Sequence, residues 1–534
     1  MNAPVTLDSH NQHIAAAYDN RPYVSKAFWY SSPGHLRAAA HLYGVDTVPL
    51  ERARVLELGC AAGGNLLPFA LAYPNATVVG VDLSPVQIEH GRHIIEKLGV
   101  ENLQLHALDL SKITREFGEF DYIIAHGVFS WVPPEVKQAL LRLCRENLSP
   151  KGLAYVSYNA YPGWKAGDVV RDAMTLHGFG AETDEERIGS ARAVLGFLSE
   201  GMAASNGMGV ALQNVVRVLR EQSDFYIEHE YLERFNTPCY LVEFADAAEQ
   251  AGLTYLGDAD PHTEVPAAYG PNVQLRLGLI AMGKPKALRQ QYLDFATGRN
   301  FRKSLLVHKD RAAEIMALPD PEKLKDLRYA GRFVELPTTP QSDARRVVRN
   351  QRGNSIVLES STMESVTTAM TAAWPRCVTY EELVAEVSKT PSQLTPEDEV
   401  LACLNALFCK GGIVHMSMGE GPYDRDSPDV PTLIPGFAYL HGMHAEAGFS
   451  LGVFNLWHNA IGVSLDGAQA WLLRHMDGQS DHKQLLAKLI RAWQQGVVPG
   501  SDGQSLAGQR NLDAAAQKCL NSLIRVLRET AVLR

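Results

Sequence analysis

The chain has 534 residues, 46% of them hydrophobic and 21% charged, with a formal net charge of −10. That length exceeds one hydrophobic core and implies two or three domains, and the mild acidity argues against a protein that coats nucleic acid. No basic stretch followed by an apolar core opens the sequence and no apolar run reaches membrane-span length; the seven cysteines form no CxxC pair, so a cytoplasmic protein with reduced thiols is the simplest expectation.

Residues 13–50 are dense in aromatics, with Tyr18, Tyr23, Phe28, Trp29 and Tyr30 ahead of Pro33 and Gly34. They read as a helix packed on a sheet edge, as a lid over a pocket, or as both. An apolar strand, Val55 to Leu58, then runs into the turn Gly59, Cys60, Ala61, Ala62, Gly63, Gly64 and Asn65. A helix pattern follows at Leu66, Leu67, Phe69, Ala70 and Leu71. A second strand, Val78 to Val81, ends in Asp82 and Leu83. This is the layout of a nucleoside-binding βαβ unit, with an acid at the second strand tip to accept from ribose hydroxyls. Glu57, two positions before the first glycine, suits a cationic ligand better than a pyrophosphate. That points to the amino-acid end of S-adenosylmethionine.

Ser84, Pro85 and Gln87 start a helix that Gly99 stops. Leu103 to Leu110 reads as a third strand, with Leu108 and Asp109 at its end. Asp109 is placed to accept from an adenine amine. Phe120 to Gly127 reads as a fourth strand ending at His126. Pro133 and Pro134 open a helix, and Gly152 to Asn159 reads as a fifth strand. Strands alternating with helices predict a doubly wound parallel sheet with ligands beyond the strand carboxyl ends.

The turn Tyr158, Asn159, Ala160, Tyr161, Pro162, Gly163 and Trp164 follows, at the edge where a methyl acceptor would sit. His126, Trp131, Tyr158, Asn159 and Trp164 are the candidate acceptor-side residues, because aromatic faces and carbonyl oxygens tolerate a methylated ammonium. Residues 165–230 read as a helical insertion. The two remaining sheet strands are expected at 254–258 and 301–308, with Gln274 to Ala281 as a competitor for the last. His229 to Glu233 begins like a zinc-protease motif, but Glu233 stands where a second histidine is needed, so it reads as a helix start. His90 and His93 lack a third ligand nearby, and no metal is expected.

Residues 311–355, rich in Pro, Arg and Asp, read as a linker. Beyond it, 356–534 reads as a mostly helical, winged-helix-like domain. Its candidate recognition helix, 397–409, opens with Glu397, Asp398 and Glu399, a charge that phosphates would repel. A protein contact is the favoured role, and no nucleic-acid partner is expected.

The runs Glu57 to Asn65, Asp121 to Pro133 and Ser157 to Trp164 together resemble those of bacterial methyltransferases carrying a methyltransferase regulatory domain. So do His229 to Glu233, Asn236 to Pro238, Gln291 to Phe295 and Arg299 to Arg302. The resemblance covers residues 13–310 clearly and the remainder loosely, with a regulatory region at 218–300. Its relatives include rickettsial enzymes that methylate lysines of outer-membrane surface proteins. The resemblance implies a Rossmann-like seven-stranded class I methyltransferase domain over 1–310 and S-adenosylmethionine as cofactor. It also implies a protein-lysine substrate, a surface protein included, and a dimer-forming region. Glu57, Gly59, Cys60, Ala61, Gly63, Asn65, Asp82, Leu83, Leu108, Asp109 and His126 are the expected cofactor contacts. Two alternatives stand beside this reading: a small-molecule methyltransferase, and a non-catalytic cofactor-binding regulator acting through its C-terminal domain.

Overall fold

A computed structural model of the chain describes residues 24–233, 235–337, 346–389, 394–423, 430–444, 451–500 and 503–534, the side chain of His444 excepted. Tyr18 and Tyr23 lie outside the described residues. The centre is a seven-stranded sheet. Its strands are β1 (Arg54–Leu58), β2 (Thr77–Asp82), β3 (Leu103–Ala107), β4 (Phe120–Ala125), β5 (Leu148–Asn159), β6 (Leu253–Asp258) and β7 (Phe301–His308). The order is β3-β2-β1-β4-β5-β7-β6. The first five strands pair in parallel, and β7 runs antiparallel to both neighbours, with Tyr155 opposite Leu305 and Thr254 opposite Val307.

Burial on both faces explains the near-continuous apolar runs: every residue of β4 is buried. Asp121 is the exception in polarity. It accepts from the Arg54 backbone N–H at 2.8 Å and pairs with its guanidinium at 2.9 Å, which holds its carboxyl below the usual range although burial opposes this. The helix Pro85–Leu98 has its expected punctuation: Ser84 accepts from Gln87 N–H and Gly99 stops it at φ 64°.

The last strand at 301–308 is as the sequence predicts. The competitor forms the helix Pro271–Ile280 instead, opened by proline at a position where a missing N–H costs nothing. Behind β7, the Arg302 guanidinium is fully buried. It meets Asp294 at 2.7 Å, Glu264 at 3.2 Å and the Tyr255 hydroxyl at 2.7 Å. A buried cation is tolerable only with such a complete set of partners. The set ties the helix Lys286–Thr297 to the sheet.

The insertion consists of the helices Lys165–His177, Asp184–Glu200 and Gly209–Arg220, then a short helix, Asp224–Ile227, that passes into a π-helical turn, Glu228–Leu232. It has its own core around Val170, Met174, Leu195, Val216 and Tyr231.

The segment 311–355 is a correction. It carries β8 (Arg328–Ala330), β9 (Phe333–Glu335) and β10 (Val347–Asn350), joined by β11 (Ser355–Val357), β12 (Val378–Thr379) and β13 (His415–Ser417). These form two three-stranded sheets, and β8 sits between β12 and β13. Strands of two to four residues are too short to show alternation in sequence. Tyr329, Phe333, Val348 and Ile356 nonetheless join one core with the helices Ser361–Ala373, Tyr380–Val387 and Pro396–Lys410. A separate core holds the helices Gly467–His475, His482–Gln494 and Asp513–Glu529.

Candidate active site

A cavity of about 380 Å³ lies beyond the carboxyl ends of β1 to β5. Twelve of the expected site residues line it: Glu57, Gly59, Cys60, Ala61, Asn65, Asp82, Leu83, Leu108, Asp109, His126, Trp131 and Asn159. Gly63, Tyr158 and Trp164 do not.

At the β1–β3 end, the turn after β1 is held in left-handed backbone at Gly59 (φ 73°), Ala61 (φ 50°) and Gly63 (φ 81°). A β-carbon on Gly59 would lie 2.5 Å from the Val128 side chain, so glycine is needed there twice over. Ala61 takes this conformation because its N–H donates to the Asp82 carboxylate at 2.8 Å. The other Asp82 oxygen accepts from Ser84 N–H at 2.9 Å. Gly63 shapes the turn from behind, packed over Leu105. Asp109 caps the turn Leu110–Lys112 by accepting from Ser111 N–H at 2.9 Å.

Glu57 is buried, and one carboxylate oxygen accepts from Asn65 Nδ2 at 2.8 Å. The other is buried with no hydrogen-bond partner. Burial pushes this carboxyl up to about 8, the Asn65 bond opposing and Asp82 adding to the rise. Burial likewise holds the Cys60 thiol well above its ordinary range, so it is a packing thiol rather than a nucleophile.

Asn65 also accepts from Phe28 N–H at 2.9 Å, and Ser25 Oγ accepts from Gly64 N–H at 2.8 Å. The segment before the helix Pro33–Leu42 is therefore strapped across the turn, and Ser25, Lys26, Phe28 and Tyr30 line the cavity. Both readings of that segment hold, since Pro33–Leu42 packs against β5 and β6.

At the β4–β5 end, His126 Nδ1 lies 3.0 Å from both the Tyr155 hydroxyl and Ser157 Oγ. Burial, with Lys303 nearby, pushes its imidazole down to about 3, so the ring is neutral. Phe28 and Tyr30 cover it, with ring centroids at 4.3 and 5.4 Å. Asn159 Nδ2 donates to Asn236 Oδ1 at 3.2 Å, and Asn236 Nδ2 donates to the Glu230 carbonyl at 3.2 Å.

Tyr158 and Trp164 are corrections. Alternation along β5 sends Tyr155, Ser157 and Asn159 to one face and Tyr158 to the other. Tyr158 stacks on Phe244 at 4.4 Å, and its hydroxyl meets Ser304 Oγ at 3.0 Å in the core. Trp164 is buried in the insertion core, stacked on Tyr231 at 5.5 Å. His229, Glu230 and Phe301 also line the cavity, and the sequence pattern does not single them out as site residues. The signals of them are the broken zinc-protease pattern at His229 and the runs His229 to Glu233 and Arg299 to Arg302 that carry the family resemblance. The broken pattern marks a π-helical turn, a local widening frequent at functional sites.

Three family models match the chain: "Methyltransferase domain" over residues 55–152, "Predicted methyltransferase regulatory domain" over 223–308, and "PKMT, C-terminal winged helix domain" over 440–532. An uncharacterized protein of Rickettsia prowazekii (strain Madrid E) is 35% identical over 241 residues, which is 45% of this chain and 96% of that relative. The chain belongs to the methyltransferases that carry this regulatory domain. A second uncharacterized protein of the same organism is 29% identical over 547 residues, covering 100% of this chain and 95% of its own length. PKMT2 from Rickettsia typhi superposes with a TM-score of 0.80 at 25% identity, over 96% of this chain and 100% of that one. The same protein is also solved in complex with AdoHcy, with a TM-score of 0.78 at 24% identity.

Members of this family are S-adenosylmethionine-dependent enzymes, and this chain is one of them. The regulatory-domain match spans the π-turn, β6 and β7, so this family feature supplies part of the cavity wall and completes the sheet. The winged-helix match falls on the helices after residue 440, not on the helices between 361 and 410 that carry the acidic 397–399 turn. Among the described residues, no helix is long and apolar enough to cross a membrane.

Proposed function

We propose that this methyltransferase N-methylates lysine side chains of a protein substrate in the cytoplasm. The observation that carries this reading is the make-up of the β4–β5 end. Trp131 and Phe28 offer π-faces, Asn159 offers an amide, and His126 is neutral, a set that tolerates a methylated cation; the Tyr30 ring beside them already carries the Lys303 ammonium at 4.4 Å.

The opposite end fits S-adenosylmethionine. The unpartnered Glu57 oxygen suits a cationic amino-acid group, since a buried carboxylate without a partner is costly. Asp82 would accept from the ribose hydroxyls, Asp109 from the adenine amine, and Gly59, Cys60, Ala61, Asn65, Leu83 and Leu108 would supply the remaining contacts. When bound, the cofactor supplies an electrophilic methyl group on a sulfonium. The protein's part is positioning and charge. Glu57 and Asp82 fix the donor end. The strap at 25–30 excludes water from above, and the neutral His126 adds no competing positive charge.

A surface protein is the acceptor class that the resemblance to rickettsial relatives favours. Exposed Leu275, Leu279, Ile280 and Met282 in the regulatory region support a homodimer. Incubating the purified chain with methyl-labelled S-adenosylmethionine and a bacterial envelope lysate tests the reading. Mass spectrometry should find the label on lysine Nζ. Label only on small molecules, or none, would overturn it.

A further inference from the structure

The π-turn Glu228–Leu232 brings a carboxylate to a cavity that Phe28, Tyr30, Trp131, Asn159 and Phe301 also line, together with Lys26 and His126. Glu230 is mostly buried, and among the described residues no hydrogen bond or ion pair reaches its carboxylate. Its neighbour His229 is already engaged, with Nδ1 3.3 Å from Glu233. The chain Asn159–Asn236–Glu230 ties this turn to the tip of β5. A buried carboxylate facing a cavity without a partner calls for a cation from outside.

We propose that Glu230 is the docking group for the acceptor's ammonium and takes one proton from it, which frees the amine lone pair for methyl transfer. This rests on the amine-acceptor reading above. The step balances: one N–H bond breaks, one O–H bond forms, and the carboxylic acid afterwards returns its proton to water. An ammonium itself has no lone pair, so some group must take that proton. The geometry offers Glu230, which lines the cavity, whereas burial pushes the His126 imidazole down to about 3, too weak a base to keep that proton.

Burial pushes the Glu230 carboxyl up to about 7, with His229 opposing and Glu233 adding to the rise. Such a group is ionised and ready at slightly alkaline pH and protonated below it. The titratable groups that act on it are His229 and Glu233, with Tyr231 beside it on the turn, and Lys26 and His126 line the same cavity.

The test is a saturation-transfer NMR titration of n-butylammonium into the full chain loaded with AdoHcy. The probe stays protonated throughout, so a pH response belongs to the protein. Wild type should bind more tightly as pH rises from about 6 to about 8, and Glu230→Gln should bind at least about tenfold more weakly without that pH response. AdoHcy affinity and thermal unfolding of Glu230→Gln should match wild type. If Glu230→Gln does not fold, Glu230→Asp and the wild-type pH profile decide. Equal binding by wild type and variant, no binding by wild type, or a flat wild-type profile would overturn the proposal. Methyl transfer to lysine is scored separately. Its absence with intact butylammonium binding removes the protein-lysine reading and leaves the ammonium site standing. Lysine transfer together with butylammonium binding that Glu230→Gln leaves unchanged does the reverse.

Discussion

The two ends of the cavity are built in different ways. The β1–β3 end comes mostly from one contiguous stretch, in which Glu57, the glycine turn, Asp82 and Asp109 lie at or just past the carboxyl ends of β1, β2 and β3, with the strap at 25–30 fastened over the turn. The β4–β5 end is assembled from four distant pieces: the strap at 25–30, the tips of β4 and β5, the π-turn at 228–232, and Phe301 at the start of β7. A site made by local chain geometry stays the same whatever packs on it. A site made by convergence of distant segments can change its acceptor while the first end stays constant.

The first end should therefore break sharply and specifically. Gly59→Ala places a β-carbon 2.5 Å from a stiff Val128 side chain in left-handed backbone. Strain of roughly 2–4 kcal/mol should appear as lost S-adenosylmethionine affinity, and isothermal calorimetry on folded protein measures it. Asp82→Ala removes both the expected ribose acceptor and the bond that holds Ala61. It should cost roughly 1.5–3 kcal/mol of cofactor binding, read by the same titration.

A milder probe of the same end is pH. The raised Glu57 carboxyl is largely protonated below about 8 in the free protein. A cationic ligand favours its ionised form, so binding must release that proton. Affinity should therefore rise with pH by up to about tenfold per unit below this value and level off above it. Calorimetry in buffers of different ionisation heat should show proton release near neutrality. Uptake would reverse the sign and remove Glu57 from the binding face.

The smallest expected effect separates the second end from the core beside it. Tyr158→Phe loses the Ser304 contact inside the sheet packing. Thermal unfolding should show a loss of about 0.5–1.5 kcal/mol, with turnover and cofactor affinity within about twofold of wild type. A large loss of turnover at unchanged stability would return Tyr158 to the acceptor site.

The same contrast separates what is legible in the sequence from what is not. Glu57, Asp82 and Asp109 are legible because a parallel strand followed by a glycine turn exposes its tip in a known direction. The last strand, 301–308, is legible from its apolar run. Tyr158 differs from its expected place by a single residue of β5 alternation, which depends on where the strand begins its pleat. Trp164 differs because a turn after a strand can fold back into a neighbouring core, here that of the insertion. Glu230 is invisible as a site residue because its turn gains meaning only when the insertion packs against β5. The strands at 328–357 are hidden by their length.

The most direct test of the two-ended account is one paired experiment on Asp82→Ala and Glu230→Gln. Calorimetry should give S-adenosylmethionine affinity, and a labelled-methyl assay should give turnover, on the same preparations. Both variants should lose turnover, and only Asp82→Ala should lose cofactor affinity. Equal loss of cofactor affinity in Glu230→Gln, or unchanged affinity in Asp82→Ala, would contradict it.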